Sequence, residues 1–237
     1  VVDIAGGPVG KVDVHVVRLD VSERRVAELE AVLSRRELER AARLFCERQR
    51  RRFVACRAAL RRILASRLGV DARALRFELG AHGKPSLRGD GPPFNLAHSH
   101  ELALIAVASG AGAVGVDLEL IRRDRDMAGL ARRFLSARER EQLERLRGQE
   151  LTEAFYWCWT AKEAYLKALG VGLAVSLDSF DVSVDPAAPA ALLADRSMAS
   201  TGAWTLTRLH VADGYAATVA VAAAACELRV LRRPPGG

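Results

Sequence analysis

The sequence predicts an α+β fold, a pseudo-dimer of two similar α/β subdomains, each a small, mostly antiparallel sheet packed against helices. Three observations lead there. An order of helices, short strand and closing strand pair occurs twice along 237 residues. The second occurrence echoes the first: "FVAC" at 53–56 and "FYWC" at 155–158 each stand early in a helix, and "LGV" closes both helices at 68–70 and 169–171. The chain is also long enough for one large domain or two small ones, and half apolar, so each half can bury a core.

The elements follow in order. Residues 12–20, "VDVHVVRLD", alternate as a strand does. Residues 22–47 and 48–68 read as two amphipathic, arginine-rich helices, with Val26, Leu29, Leu33 and then Phe53, Leu60, Ile63 and Leu64 near helical spacing, and Gly69 as the stop. "ALRFEL" is a short strand, "GAHGKPSLRGDGPP" a loop by its glycine and proline content, and "FNLAHS" leads into strands 102–108 and 113–120, joined as a hairpin by "SGAG". Then come helices over 128–147 and 151–169, a strand in "LDSFDVSV", and a closing hairpin of "AWTLTRLHV" and "YAATVAVAA". The division falls at the strand carrying Asp117, giving halves 1–112 and 113–237.

The formal charge of +7 favours an acidic partner, whether nucleic acid, an anionic cofactor or an acidic protein. The arginine clusters "RQRRRF" at 48–53 and "RRDRD" at 122–126 are interleaved with acids, so no clean nucleic-acid stripe emerges. Apolar runs are too short or too interrupted to span a bilayer, and no secretory leader opens the chain. Cys46, Cys56, Cys158 and Cys226 fit no zinc spacing and read as reduced thiols of a cytoplasmic protein.

Four places could carry chemistry. In "AVGVDLEL", strand alternation puts Asp117 and Glu119 on one face, with Cα atoms roughly 6–7 Å apart. Two carboxylates so placed can converge on a hard cation such as Mg²⁺, or form the solvated face of a half-buried strand. In "WTAKEAYLKALG", Glu163 and Lys167 are one helical turn apart. They are either a surface ion pair or a carboxylate and a compact ammonium facing one substrate. Lysine is rare here, occurring only at 11, 84, 162 and 167 against 32 arginines, and an ammonium can approach a single phosphoryl oxygen and yield a proton. Lys162 points about 100° away from Glu163 and is given no catalytic role. Gly83-Lys84-Pro85 is a turn or an anion-facing loop. His98 or His100 in "FNLAHSH" could bond a phosphate or be structural.

Taken together and in this order, "GKP", "FNLAHS", "GVDLE" and "WTAKEAYLK" resemble the motif set of the Sfp-type 4′-phosphopantetheinyl transferases; "RRFLSARERE" and "GLAVSLDSFDV" match that family's style. The resemblance implies that family's pseudo-dimeric fold and a transfer of 4′-phosphopantetheine from coenzyme A to a serine of an acyl or peptidyl carrier protein, releasing adenosine 3′,5′-bisphosphate. It implies a metal held by Asp117, Glu119 and Glu163, with Mg²⁺ or Mn²⁺ both suited to carboxylates. Glu163 would activate the serine, and Lys167 would hold the pyrophosphate and protonate the leaving group. Arg40, Arg52, Gly83, Lys84, Ala97, His98 and Lys167 would contact coenzyme A, the nucleotide end being gripped by residues 1–112 and the metal and catalytic helix lying in 113–237. The resemblance also implies a monomer that docks acidic carrier proteins transiently, with neither nucleic acid nor membrane as partner. The W/KEA form of the helix motif is, within the family, more typical of enzymes serving polyketide or nonribosomal peptide synthesis. Two departures stand out: Ala97 replaces the usual serine before His98, and Val171 stands where relatives can carry lysine. The alternatives are a Mg²⁺-dependent phosphatase or nuclease built on the same carboxylates, and a basic nucleic-acid-binding protein.

Overall fold

The computed structural model describes residues 10–197, 200 and 202–233. The first strand, β1 (Gly10–Arg18), is buried from Val12 to Val17. The helix predicted over 22–47 is broken into α1 (Glu23–Glu30) and α2 (Arg35–Ala42). The reason is Ser34, which caps α2 reciprocally with Glu37: each side chain takes up a backbone N–H that a helix start leaves free. The same device splits the helix predicted over 128–147. There α4 (Met127–Phe134) gives way to α5 (Ala137–Leu143), whose start is boxed by Ser136 and Glu139. The long helices α3 (Glu47–Leu68) and α6 (Gly148–Leu169) are each 22 residues and each end on a left-handed glycine, Gly69 at φ 67° and Gly170 at φ 71°.

The remaining strands are β2 (Phe77–Leu79), β3 (Pro85–Leu87), β4 (Phe94–Ser99), β5 (Leu102–Ser109), β6 (Val114–Leu120), β7 (Phe180–Val182), β8 (Leu192–Asp195), β9 (Thr205–Arg208), β10 (Tyr215–Val221) and β11 (Cys226–Arg233). They form two main sheets, β11-β1-β5-β4 and β6-β10-β9, and two small ones, β2-β3 and β7-β8. The duplication predicted from sequence is visible strand by strand: β1-β5-β4 corresponds to β6-β10-β9, and each half adds one small antiparallel pair after its long helix. Strand β11 lies outside the elements expected from the sequence. It pairs in parallel with β1, so residues 226–233 complete the first sheet.

The predicted hairpin between residues 102–108 and 113–120 does not form. Strand β5 turns back onto β4 through His100 and Glu101, with Ser99 opposite Leu102 and His100 at φ 57°. "SGAG" instead carries the chain into the second sheet, where the Ala222 N–H donates to Ala113 O (2.9 Å) and β6 pairs with β10. Strands β4 and β6 are joined by side chains: Asn95 Oδ1 accepts the Val116 N–H (2.9 Å) and Ser99 Oγ accepts the Leu120 N–H (3.0 Å). A central apolar core including Val14, Leu104, Val116 and Val219 lies between the two sheets. A second core packs α3 on the first sheet and a third packs α6 on the second. All four cysteines are free thiols. Among the described residues no helix is long and apolar enough to cross a membrane.

One buried ion pair per half locks each long helix. Arg61, eight residues before Gly69, donates to Glu37 Oε2 (2.7 Å) and to Ala72 O and Leu75 O. Lys162, eight residues before Gly170, pairs with Glu139 (2.8 Å) and donates to Leu177 O and Phe180 O. Lys162 is thus a fully buried strut between α6, α5 and β7. Removing one partner of such a pair leaves an uncompensated charge in the interior, which costs about 3–5 kcal/mol. Urea unfolding of Lys162→Met should show that loss, and adding Glu139→Gln should recover much of it. A loss below about 1 kcal/mol, in the range of an exposed pair, would contradict the strut.

Candidate active site

The site is assembled where α6 crosses β6. Gly115 makes the crossing possible: a Cβ there would lie 2.0 Å from Ala164 O and 2.4 Å from Ala168 N. Thr160 of α6 and Thr218 of β10, the cross-strand partner of Asp117, share a buried hydrogen bond of 3.0 Å. The helix is therefore fixed in both height and register over Asp117.

Asp117 is buried, and its Oδ1 accepts from Lys167 Nζ at 2.5 Å. Its Oδ2 is buried without a hydrogen-bond partner. Burial pushes the Asp117 carboxyl above the usual carboxylate range, against the pull of Lys167. Glu119 is raised as well, first by burial and then by Asp117, while Ser99 Oγ donates to its Oε2 (3.1 Å). Glu163 is raised by burial and by Asp117, with Lys167 opposing. The three predicted carboxylates thus feel one another across two elements, and one ammonium stands among them.

A hard divalent cation suits this donor set, because carboxylate oxygens are its preferred ligands and Asp117 Oδ2 lacks any other partner. As the side chains stand, no three His, Cys, Asp or Glu among the described residues are gathered around one point, and Lys167 supplies the positive charge beside Asp117.

Alongside lies a cavity of about 690 Å³ in the N-terminal half. Arg36 and Arg40 of α2, Arg52 and Arg57 of α3, His98 and His100 give it a basic lining, and Leu19, Phe53, Phe77 and Leu96 an apolar one. Arg52 is held bidentately by Asp20 (2.6 and 2.9 Å), and Arg57 by Glu37 (2.7 Å). Arg36 and Arg40 have no ion-pair partner among the described residues; the Arg40 guanidinium lies over the Phe53 ring, 5.4 Å from its centroid. These two guanidiniums are free to take an anion. His98 lines the cavity and feels the charge of Lys167. Its side chain stays accessible to solvent, yet its pKa falls below the ordinary value through lost hydration and then through the charges of Lys167 and Arg40.

Of the predicted coenzyme A contacts, Arg40, Arg52, Gly83 and His98 line the cavity. Ala97 and Lys84 differ. Strand alternation turns the Ala97 side chain into the core between the sheets, so a hydroxyl there would face apolar neighbours rather than the cavity. The Lys84 ammonium donates to Val114 O and Ala168 O instead of facing the cavity. Asn95, Ser99, Gly115 and Thr160 hold the site together and were not singled out in the sequence. An asparagine and a serine inside the apolar run "FNLAHS" were the available signal, since a buried polar side chain in a strand needs a partner.

The family profile described as the 4′-phosphopantetheinyl transferase superfamily matches residues 113–220. The chain is 41% identical over 217 residues to the 4′-phosphopantetheinyl transferase HetI of Nostoc sp., covering 89% of this chain and 88% of that protein. It is 29% identical over 152 residues to the 4′-phosphopantetheinyl transferase Sfp of Bacillus subtilis, covering 63% of this chain and 66% of that one. A solved holo-(acyl-carrier-protein) synthase from Bacillus anthracis, in complex with CoA (3′,5′-ADP), aligns with 47% of this chain and 95% of its own at 30% identity and a TM-score of 0.39.

Proposed function

Since the chain belongs to the Sfp-type 4′-phosphopantetheinyl transferases, a family of transferase enzymes, we propose that it moves 4′-phosphopantetheine from coenzyme A to a serine of an acyl or peptidyl carrier protein and releases adenosine 3′,5′-bisphosphate. The observation that carries this reading is the continuity of the site. A cavity with two unpaired guanidiniums and an apolar wall has His98 in its lining, and His98 feels both Arg40 of the cavity and Lys167, which stands beside three mutually interacting carboxylates. A nucleotide with several phosphates joined to a reacting pyrophosphate suits that sequence of chemistries.

In this reading Arg40 and Arg36 bind phosphate of the nucleotide, Gly83 lets the backbone come close, and the aromatic wall of Phe53 and Phe77 accepts the base. His98 orients the phosphates as a neutral or weakly protonated donor. Lys167 neutralises the pyrophosphate and gives its proton to the departing phosphate. Glu163, kept basic by its raised pKa, takes the proton of the serine hydroxyl as the oxygen attacks the phosphorus; the bond to the leaving phosphate breaks in the same displacement. Asp117, Glu119 and Glu163 would hold Mg²⁺, which when bound supplies charge neutralisation on the pyrophosphate oxygens.

In this reading the functional division falls at residues 1–112 and 113–237, although β11 pairs back with the first sheet. The W/KEA pattern of Trp159 and Lys162-Glu163-Ala164 supports service to polyketide or nonribosomal peptide carriers. The excess of positive charge steers an acidic carrier into transient contact with a cytoplasmic monomer. The test is release of adenosine 3′,5′-bisphosphate from coenzyme A and Mg²⁺, with and without an apo carrier. Transfer predicts release only when the carrier is present. Equal release without it would replace transfer by hydrolysis on the same carboxylates.

A further inference from the structure

The loop between β2 and β3 does two things at once. Gly83 and Pro85 wall the basic cavity, while Lys84, between them, reaches the other way into the C-terminal half. The loop is tightly closed, with Gly80 N–H donating to Lys84 O and Gly83 N–H to Gly80 O, both at 2.9 Å. The Lys84 side chain passes against Gly170, where a Cβ would come within 3.1 Å of its Cδ. Its ammonium donates to Ala168 O (2.7 Å), the residue after Lys167, and to Val114 O (3.1 Å), the residue before Gly115. Both acceptors flank the crossing of α6 and β6 that sets the Lys167–Asp117 contact.

We propose that Lys84 is a positioning residue: it ties the cavity loop to the last turn of α6 and the start of β6, and so fixes where Lys167 and Asp117 stand relative to bound coenzyme A, a role that rests on the coenzyme A reading above. The chemistry suits a lysine. A cation at a helix C-terminus faces carbonyls with no helical partner and the negative end of the helix dipole. Burial lowers the Lys84 pKa to about 8, which still leaves the ammonium charged at neutral pH. The connection runs from the wall that seats the nucleotide to the helix that presents the catalytic pair, and a displacement of about 1 Å between reacting groups costs on the order of 100-fold in rate.

The experiment compares the full-length protein with Lys84→Met and Lys84→Arg. Affinity is read with adenosine 3′,5′-bisphosphate, turnover with saturating coenzyme A and an apo carrier, and helix order by hydrogen exchange at residues 166–170. The expected result for Lys84→Met is an affinity within about threefold of wild type, turnover down about tenfold or more, and exchange at the α6 terminus about tenfold faster. Lys84→Arg, which keeps a cation at the carbonyls, should recover part of the turnover and of the protection, and it carries the same comparison if Lys84→Met does not fold. Affinity lost about tenfold with turnover intact at saturation would overturn the proposal in favour of a direct grip on phosphate. Wild-type turnover and exchange would overturn it as well. If the wild-type protein transfers nothing, the coenzyme A reading fails instead, and the exchange measurement still reports whether Lys84 secures α6.

Discussion

Replacing Glu163 by glutamine should lower turnover by about 10²–10⁴-fold and leave the affinity for coenzyme A within about twofold. Glu163 projects from α6 into the carboxylate cluster, whereas the unpaired guanidiniums that would hold the nucleotide, Arg36 and Arg40, sit on α2 in the other half. Glutamine keeps the size of the side chain and removes its basicity and charge. Titration of the metal-free protein supplies a second readout. Burial and the neighbouring Asp117 raise the Glu163 carboxyl, so its active, ionised form is lost on acidification at a higher pH than an ordinary glutamate would be. In the metal-free protein the Glu163 carboxyl should therefore titrate above the usual carboxylate range, and a bound cation should pull it back down. Wild-type turnover in the glutamine variant would remove Glu163 from the mechanism.

Gly115→Val should destabilise the protein by about 3 kcal/mol or more and abolish turnover in whatever remains folded. The clash is with the backbone of α6, Ala164 O at 2.0 Å and Ala168 N at 2.4 Å from the first added carbon, so no flexible side chain can move aside. Helix α6 would have to rise off β6. That would open the 2.5 Å contact between Lys167 and Asp117 and strain the buried Thr160–Thr218 bond. Gly69→Ala is the matched comparison: its Cβ would enter open space, and only the left-handed backbone at φ 67° resists it, costing about 1–2 kcal/mol. Urea unfolding separates the two; equal losses would show that close approach at Gly115 is not what holds the helix.

The sequence carried the repeat, the long helices and the motif residues because each rests on local pattern. Helix period, a glycine stop and strand alternation are set by neighbours a few residues away. The breaks at Ser34 and Ser136 were also legible, since serine followed three residues later by glutamate is a helix-start signature. What could not be read is pairing between distant segments. Nothing in "CELRVLRR" says that it will lie parallel to β1, more than 200 positions away, and nothing in "SGAG" distinguishes a hairpin turn from a passage between sheets. Side-chain direction was lost for the same reason. Ala97 and His98 are adjacent in a motif, yet the pleat sends one into the core and the other to the cavity. Lys84, a candidate for anion contact, and Lys162, given no catalytic role, are both fixed by carbonyls contributed by other parts of the chain. Lys167 alone of the three meets Asp117, one of the carboxylates proposed to hold the metal.

Transfer from coenzyme A would leave the phosphopantetheine group covalently on the serine of the carrier. The most direct measurement is the intact mass of an apo carrier protein after incubation with this protein, coenzyme A and Mg²⁺, beside the same carrier with its acceptor serine replaced by alanine. The expected result is a gain of one phosphopantetheine group on the serine-bearing carrier and none on the alanine variant. Unchanged mass across acyl and peptidyl carriers, or an equal gain on the alanine variant, would contradict the claim.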